Sequence, residues 1–273
     1  MEALGDLLET ILSTRNAPAG PDVCPVCGKP KRAMHRIDGH EIWLPVMCDC
    51  QLKIEAERKR SEQLTKIDTA RSVCFSGRFS KFKSCTFDSD QEYIPEASAK
   101  CRAYAVRFAD ALSGAQQGTG LMLWGGTGTG KSFLAACVAN ALIDAGYRCL
   151  FLTASEIEAR MSVSFDAKAD VIQEIRKASL LVLDDFGAER RTEYMDQIVY
   201  TVINARYTDR MPVIITTNLG PRDFANESDI ARTRIYDRIL ETCIPVRMDG
   251  DSVRRAKYRD KMQGWEDWLN GSE

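Results

Sequence analysis

A chain of 273 residues with a formal net charge of −2, 44% hydrophobic and 28% charged residues has an ordinary globular composition and room for one large domain plus a small module. Its near-neutral charge excludes attraction of the whole molecule to DNA or anionic membranes, so any nucleic-acid contact must come from local basic patches. No stretch reaches the ~20 continuous apolar residues of a membrane span. Met1 to Leu12 lacks the basic start and small-residue cleavage site of a signal peptide. These features predict a cytoplasmic protein whose ten cysteines stay reduced instead of forming a disulfide framework.

In chain order, residues 1 to 17 space Leu4, Leu7, Leu8, Ile11 and Leu12 along one face, with Glu2, Asp6 and Glu9 between them, which predicts a short amphipathic helix. Pro and Gly between 16 and 21 end it. Cys24-Pro25-Val26-Cys27-Gly28 then forms a C-x-x-C knuckle, and Cys48-Asp49-Cys50 supplies a second pair. Four thiolates in two close pairs suit the tetrahedral preference of Zn²⁺, although C-x-C is the rarer spacing. Asp38-Gly39 between strand-forming residues predicts a hairpin that brings the pairs together. His35 and His40 lie in that hairpin; either could replace a cysteine as ligand, and exposure on the hairpin is the plainer reading. A redox C-x-x-C would want a thioredoxin-like context, which is missing. The six remaining cysteines, Cys74, Cys85, Cys101, Cys137, Cys149 and Cys243, are scattered and read as packing residues.

Residues 51 to 68 are charged and helix-favouring, a solvated linker helix. From Arg71 to Lys83, basic residues interleave with Phe75, Phe79 and Phe82. Such a pattern can bind single-stranded nucleic acid by stacking and phosphate pairing; the alternative is an extended arm whose phenylalanines pack on the next domain. Residues 97 to 112 predict a helix. The run Leu121-Met122-Leu123-Trp124 follows as a strand, then Gly125-Gly126-Thr127-Gly128-Thr129-Gly130-Lys131-Ser132, then a helix from Phe133 to Ala145. This is the P-loop pattern in its required strand-loop-helix setting. Its N–H groups would cradle phosphates of ATP, Lys131 would reach the β- and γ-phosphates, and Ser132 would place its hydroxyl on Mg²⁺. Downstream, strands at 148–153, 180–183, 212–217 and 244–248 alternate with helices at 154–160, 167–177, 192–209 and 230–240. That alternation predicts an α/β fold, a parallel sheet flanked by helices with ligands beyond the strand carboxyl ends.

Leu180 to Leu183 ends in Asp184-Asp185. Carboxylates at the end of a buried strand are costly unless a cation uses them. Beside a P-loop, Asp184 would hold Mg²⁺ and Asp185 would orient and deprotonate the attacking water. The strand 213–217 ends at Asn218, placed to hydrogen-bond the water or the γ-phosphate. Arg232, Arg234 and Arg238, then Arg254 and Arg255, offer guanidinium groups for transferring-phosphoryl charge; solvated faces or DNA-phosphate contacts are equally open to them.

Taken together, residues 70 to 260 resemble the AAA+ ATPases of the DnaC/DnaI helicase-loader group and the related IstB transposition helpers. The resemblance lies in Phe79-Ser80-Lys81-Phe82, Thr86-Phe87-Asp88, the P-loop, Leu183 to Glu189, Thr216-Thr217-Asn218, Arg234 to Arg238 and Ser252-Val253-Arg254. It implies a P-loop AAA+ domain with Asn218 as sensor 1, Arg234 as an arginine finger acting in trans with Arg238 its rival, and Arg254 as sensor 2. Two departures stand out: Asp185 replaces the usual Glu, and the chain after Met248 has room for one or two helices, a reduced lid. Arg160, Lys168, Arg176 and Lys177 sit where initiator-type relatives face DNA. The cysteine module looks like the zinc-containing N-terminal region of DnaI-like loaders. The resemblance divides the chain into an N-terminal helix and zinc-binding docking module (1–50), a charged linker and arm (51–90) and an ATPase domain (91–273). It implies an ATPase that assembles into a ring or spiral and places the replicative hexameric DNA helicase on single-stranded DNA, with no membrane partner. The alternatives are a transposition helper and an ATP-switched clamp without turnover.

Overall fold

The computed structural model describes residues 23–37, 39–89, 94–190, 192–250 and 252–269; the amphipathic segment 1–17 lies outside them. The chain divides into two compact units, Met1–Thr65 and Lys66–Glu273.

In the first unit, strands β1 (Arg32–Ile37) and β2 (His40–Pro45) pair antiparallel. Ile37 lies opposite His40, so the connection between the strands is two residues long, and Gly39 takes the positive φ of 81° that such a short connection needs. Helix α1 (Asp49–Cys74) begins in this unit. It is polar on all sides, with Leu52, Ile54 and Leu64 exposed. Arg58 pairs with both Glu55 and Glu62, and Lys59 with Glu55, the one-turn pairs that support a solvated helix.

The second unit is built on five parallel strands, β3 (Gly120–Gly125), β4 (Cys149–Leu152), β5 (Leu180–Phe186), β6 (Val213–Thr217) and β7 (Cys243–Met248), in the order β4-β5-β6-β3-β7. Side chains alternate across each strand, so both faces must be covered. Leu121, Leu123, Phe151, Val182 and Ile214 fill one core with Leu134 and Val138 of helix α4 (Lys131–Asp144). Met122, Leu150, Leu181, Leu183 and Ile215 fill the other, against Ile198 and Val202 of α7 (Glu193–Thr208) and Ile235 and Ile239 of α9 (Ile230–Thr242). Between these elements lie α5 (Ala154–Met161), α6 (Phe165–Lys177) and the short α8 (Pro221–Ala225). After β7 the described residues form one helix, α10 (Val253–Leu269).

Two expectations are corrected. The helix expected over 97–112 is two, α2 (Pro95–Val106) and α3 (Phe108–Ser113), broken at Arg107. The break lets Phe108 sit edge-on to both Tyr104 and Tyr147, with ring centroids 5.9 and 5.1 Å away. The arm is not extended: α1 runs to Cys74 and a 3₁₀ turn covers Gly77–Phe82. Phe75, Phe79 and Phe82 surround Phe151 with centroids 4.8 to 5.5 Å away, and Asn140 ties the turn down by donating to the Phe82 and Cys85 carbonyls. Arg78 and Lys81 lie over the rings of Phe79 and Phe82. Rings engaged in this way serve the core. All six scattered cysteines are buried, as packing residues should be.

Arg206 of α7 was not legible as special. It is only 1% exposed, and its guanidinium donates to the carbonyls of Ile175, Ala178, Ser179 and Pro212 at 2.6 to 3.2 Å. It joins the end of α6 to the approaches to β5 and β6. Burial pushes its pKa down to about 10.

Phe79→Ala should lower unfolding stability by about 3 kcal/mol or more, the cost of emptying an aromatic core position. Urea denaturation checks this; a loss below about 0.5 kcal/mol, typical of a surface site, would show the turn to be peripheral.

Candidate functional site

At the carboxyl end of β3 the chain curls back on itself. Gly128 has φ 86°, and a Cβ there would lie 2.2 Å from Ser252 Oγ. Gly125 approaches β7 so closely that a Cβ would fall 2.4 Å from the Met248 carbonyl oxygen. The β7 backbone leaves no room for a side chain at Gly125, and at Gly128 the left-handed φ favours glycine. Gly130, left-handed, caps α4, and Thr129 Oγ1 donates to the Gly126 carbonyl at 2.9 Å. The main-chain N–H groups of Lys131 and Ser132 have no acceptor among the described residues. They point out of the positive end of the helix.

Lys131 is 8% exposed. Its ammonium uses three donors on Gly125 O (2.9 Å), Gly126 O (2.6 Å) and Asn218 Oδ1 (2.9 Å). Burial holds its pKa below the ordinary lysine range; Asp185 opposes that shift, Arg254 adds to it, and Asp184 opposes it. One electrostatic neighbourhood therefore contains Lys131, Asp184, Asp185, Asn218 and Arg254. Ser132 is half-buried in the first turn of α4 and Thr127 is exposed on the loop. The segment before α10 is fastened to the loop by Val253 N–H, which donates to Gly128 O at 3.1 Å, and this places Arg254 at the loop.

At the end of β5, Asp184 is buried and accepts a hydrogen bond from Thr216 Oγ1 at 2.6 Å. Asp185 is exposed and has φ 58°. That left-handed conformation costs an L-residue about 1–2 kcal/mol, and such conformations collect at functional sites. Its N–H donates to the same Thr216 Oγ1 at 2.9 Å. Thr216 and Ser252 stood in the sequence only as members of motifs, with no role of their own.

The arginines separate clearly. Arg232 is buried and pairs with Asp196 at 2.7 Å. Arg238 is half-buried, 4.8 and 5.5 Å from the rings of Tyr200 and Tyr207, and donates to Tyr200 OH. Arg234 is exposed on α9. Among the described residues, neither Arg234 nor Arg238 forms a hydrogen bond or ion pair with the P-loop or the two aspartates. Of the four basic residues read as DNA-facing, Arg160 pairs with Glu174, Arg176 with Asp209, and Lys168 lies over Tyr194.

In the first unit the hairpin brings the two cysteine pairs together. Cys24 N–H donates to Lys29 O, Gly28 N–H donates to Cys24 O, and Lys29 pairs with Asp49. The Sγ atoms of Cys24, Cys27, Cys48 and Cys50 all lie within 4.8 Å of one another. Cys50 Sγ is 3.2, 3.0 and 3.5 Å from those of Cys24, Cys48 and Cys27. Four sulfurs about 2.3 Å from a tetrahedral zinc sit roughly 3.8 Å apart, so small outward shifts produce that geometry. The Cys27 and Val26 N–H groups pull the Cys24 thiol down to about 6, and hydrogen bonding among the crowded sulfurs raises that of Cys50. Four cysteine sulfurs are a soft donor set of the kind zinc takes. His35 is exposed and does not belong to it. The donors fit zinc.

A family model described as IstB-like ATP binding protein matches residues 60–261. The chain belongs to this family. It is similar to the replicative helicase loader DnaI of Bacillus subtilis, 27% identical over 150 residues that are 50% of this chain and 48% of that protein. An insertion-sequence ATP-binding protein of Sinorhizobium fredii is 30% identical over 63% of this chain and 57% of its own length. The replicative helicase loader DnaC of Escherichia coli is 24% identical over 67% and 73%. The matches thus span about half the length of the first two relatives. Crystal structures of the DnaC helicase loader (TM-score 0.54, 21% identity, 62% of this chain and 99% of that one) and of DnaI (0.55, 24%, 67% and 98%) share the fold. The second unit is therefore a P-loop AAA+ fold in an ATP-binding family, and no helix among the described residues is long and apolar enough to cross a membrane.

Protein purified under reducing conditions should carry about one zinc per chain by elemental analysis, the stoichiometry of a four-thiolate site. Cys48→Ser should lose it. A metal-free wild-type protein that keeps its first unit folded would refute the assignment.

Proposed function

We propose that this protein is an ATP-hydrolysing loader that binds a replicative DNA helicase and places it on single-stranded DNA. The observation that carries the reading is the Lys131 ammonium bonded to two carbonyls of the glycine-rich loop and to Asn218, with Asp184 and Asp185 ending the strand on the other side of β6 and Val253, next to Arg254, bonded to the loop at Gly128. Similarity to DnaI and DnaC and the four-cysteine module favour a helicase as client. The alternative, a transposition helper, draws on the likeness to the Sinorhizobium insertion-sequence protein. A clamp that binds ATP without turnover is the second alternative.

In this reading the Lys131 ammonium exchanges two loop carbonyls for β- and γ-phosphate oxygens, a better match for a buried cation. The free N–H groups of Lys131 and Ser132 accept phosphate charge at the start of α4. Ser132 and Asp184 would hold Mg²⁺, which supplies charge neutralisation at the β- and γ-phosphate oxygens when bound. Asp185, lifted out of the strand, takes a proton from the attacking water, and Asn218 orients that water or the γ-phosphate. Arg254 adds positive charge from the same subunit. Arg234, exposed and without a side-chain ion pair among the described residues, acts as the finger on a neighbour's nucleotide. Arg238, stacked on two tyrosines within its own subunit, shapes α9. Turnover then depends on self-association into a ring or spiral. The module within residues 1–50 docks the helicase, the charged segment that follows links it, and the domain to 273 hydrolyses ATP.

Lys131→Ala should abolish ATP binding or turnover while leaving zinc in place; undiminished ATPase activity would remove the nucleotide site from the account. Arg234→Ala should bind ATP normally and lose turnover by about 10³-fold, and mixing it with Lys131→Ala protein should restore part of the activity. Full activity of Arg234→Ala alone, with no gain on mixing, would remove the finger in trans, and ATP binding without turnover in the wild type would favour the clamp. Co-purification with the host's replicative helicase, with and without ATP, against a transposase, decides the client.

A further inference from the structure

Strand β5 changes register where it meets the site. Leu183 pairs with Ile215 and Phe186 with Thr217, so Asp184 and Asp185 together face the single residue Thr216. Two residues opposite one is a β-bulge, a device that re-aims side chains beside active sites. In an unbroken strand successive side chains would point to opposite faces of the sheet. Here the Asp184 carboxylate is turned to Thr216, and Asp185 leaves the extended strand through a left-handed backbone at φ 58°.

A bulge leaves ladder groups to be satisfied in another way. The Thr216 side chain is 1% exposed, and its hydroxyl serves both displaced residues. It donates to Asp184 Oδ1 at 2.6 Å and accepts the Asp185 N–H at 2.9 Å. A hydroxyl has one proton to donate, so the donation to the carboxylate fixes that proton's direction and leaves a lone pair for the N–H.

We propose that Thr216 is a positioning residue: its one hydroxyl holds the Asp184 carboxylate and the Asp185 backbone together, so that the bulge presents both acids to the nucleotide's metal and to water. This rests on the ATP-hydrolysing reading for its consequence, but not for its geometry. Valine has the same shape and neither bonding capacity, whereas serine has both. Thr216→Val should therefore leave nucleotide affinity in EDTA within about twofold of wild type. It should raise the Mg²⁺ concentration needed for tight nucleotide binding by about tenfold or more, the usual range for removing the partner of a metal-holding carboxylate. It should lower kcat by about 10–100-fold with KM little changed. Thr216→Ser should stay within about threefold of wild type in both.

The test is titration of full-length protein with a fluorescent ATP analogue in EDTA and across a Mg²⁺ series, beside steady-state ATPase kinetics and thermal melts. A Thr216→Val protein with a wild-type Mg²⁺ midpoint, or a Thr216→Ser protein as impaired as Thr216→Val, overturns the proposal. If Thr216→Val does not fold, Thr216→Cys replaces it, because a thiol is a weak donor and a weak acceptor, and it must fall well below Thr216→Ser. Nucleotide binding without turnover in the wild type would sink the hydrolysis reading alone, since the Mg²⁺ midpoint still decides the role of Thr216. No nucleotide binding in the wild type would sink both.

Discussion

A buried lysine ammonium is the fixed charge about which the second unit is arranged. Lys131 sits at 8% exposure with its three donors on three oxygens. A cation removed from water is tolerated only with such partners. Two of the oxygens are carbonyls of the loop that precedes it, so the charge draws the loop closed around itself. The third belongs to Asn218, one strand away. The lysine thus spans the ends of β3 and β6 through a single hydrogen-bonded centre, and a bound triphosphate would have to take over those contacts. That competition ties nucleotide occupancy to the position of Asn218 and so to whatever follows β6.

The sheet makes this centre possible. Parallel strands deliver all their carboxyl ends to one edge. The order β4-β5-β6-β3-β7 places β6 between the strand that carries the aspartates and the strand that leads into the P-loop. Thr216 and Asn218 reach those two neighbours for that reason. On the other side, β7 passes so close to Gly125, and Ser252 to Gly128, that the loop is walled by the chain leading to Arg254. Away from the site, the phenylalanines after α1 close one face of the sheet around Phe151. The basic residues among them are left on the outside of rings already used in packing.

The first unit is held differently. Among its described residues, the hairpin and the polar helix bury little apolar surface, and the four crowded thiols offer a further source of cohesion. A metal there would be part of the folding energy of the unit.

Sequence alone determined the elements that depend on local pattern. The glycines, Lys131 and Ser132 are readable because backbone geometry and phosphate chemistry leave few other residues for those positions. Strand and helix alternation followed from apolar periodicity, and the two cysteine pairs from ligand spacing around a two-residue turn. Tertiary structure decided what depends on neighbours distant in the chain. The break at Arg107 exists because Phe108 must meet Tyr147. Arg206 is a core residue because four carbonyls surround it. Arg234 and Arg238, four residues apart on one helix, differ because only the second has Tyr200 and Tyr207 beside it. Asp184 and Asp185 were legible as a pair of acids, but the bulge that holds them was not. It is a register shift against β6 tied by one threonine hydroxyl, and register between strands is set by packing across the sheet, which no single stretch of sequence contains.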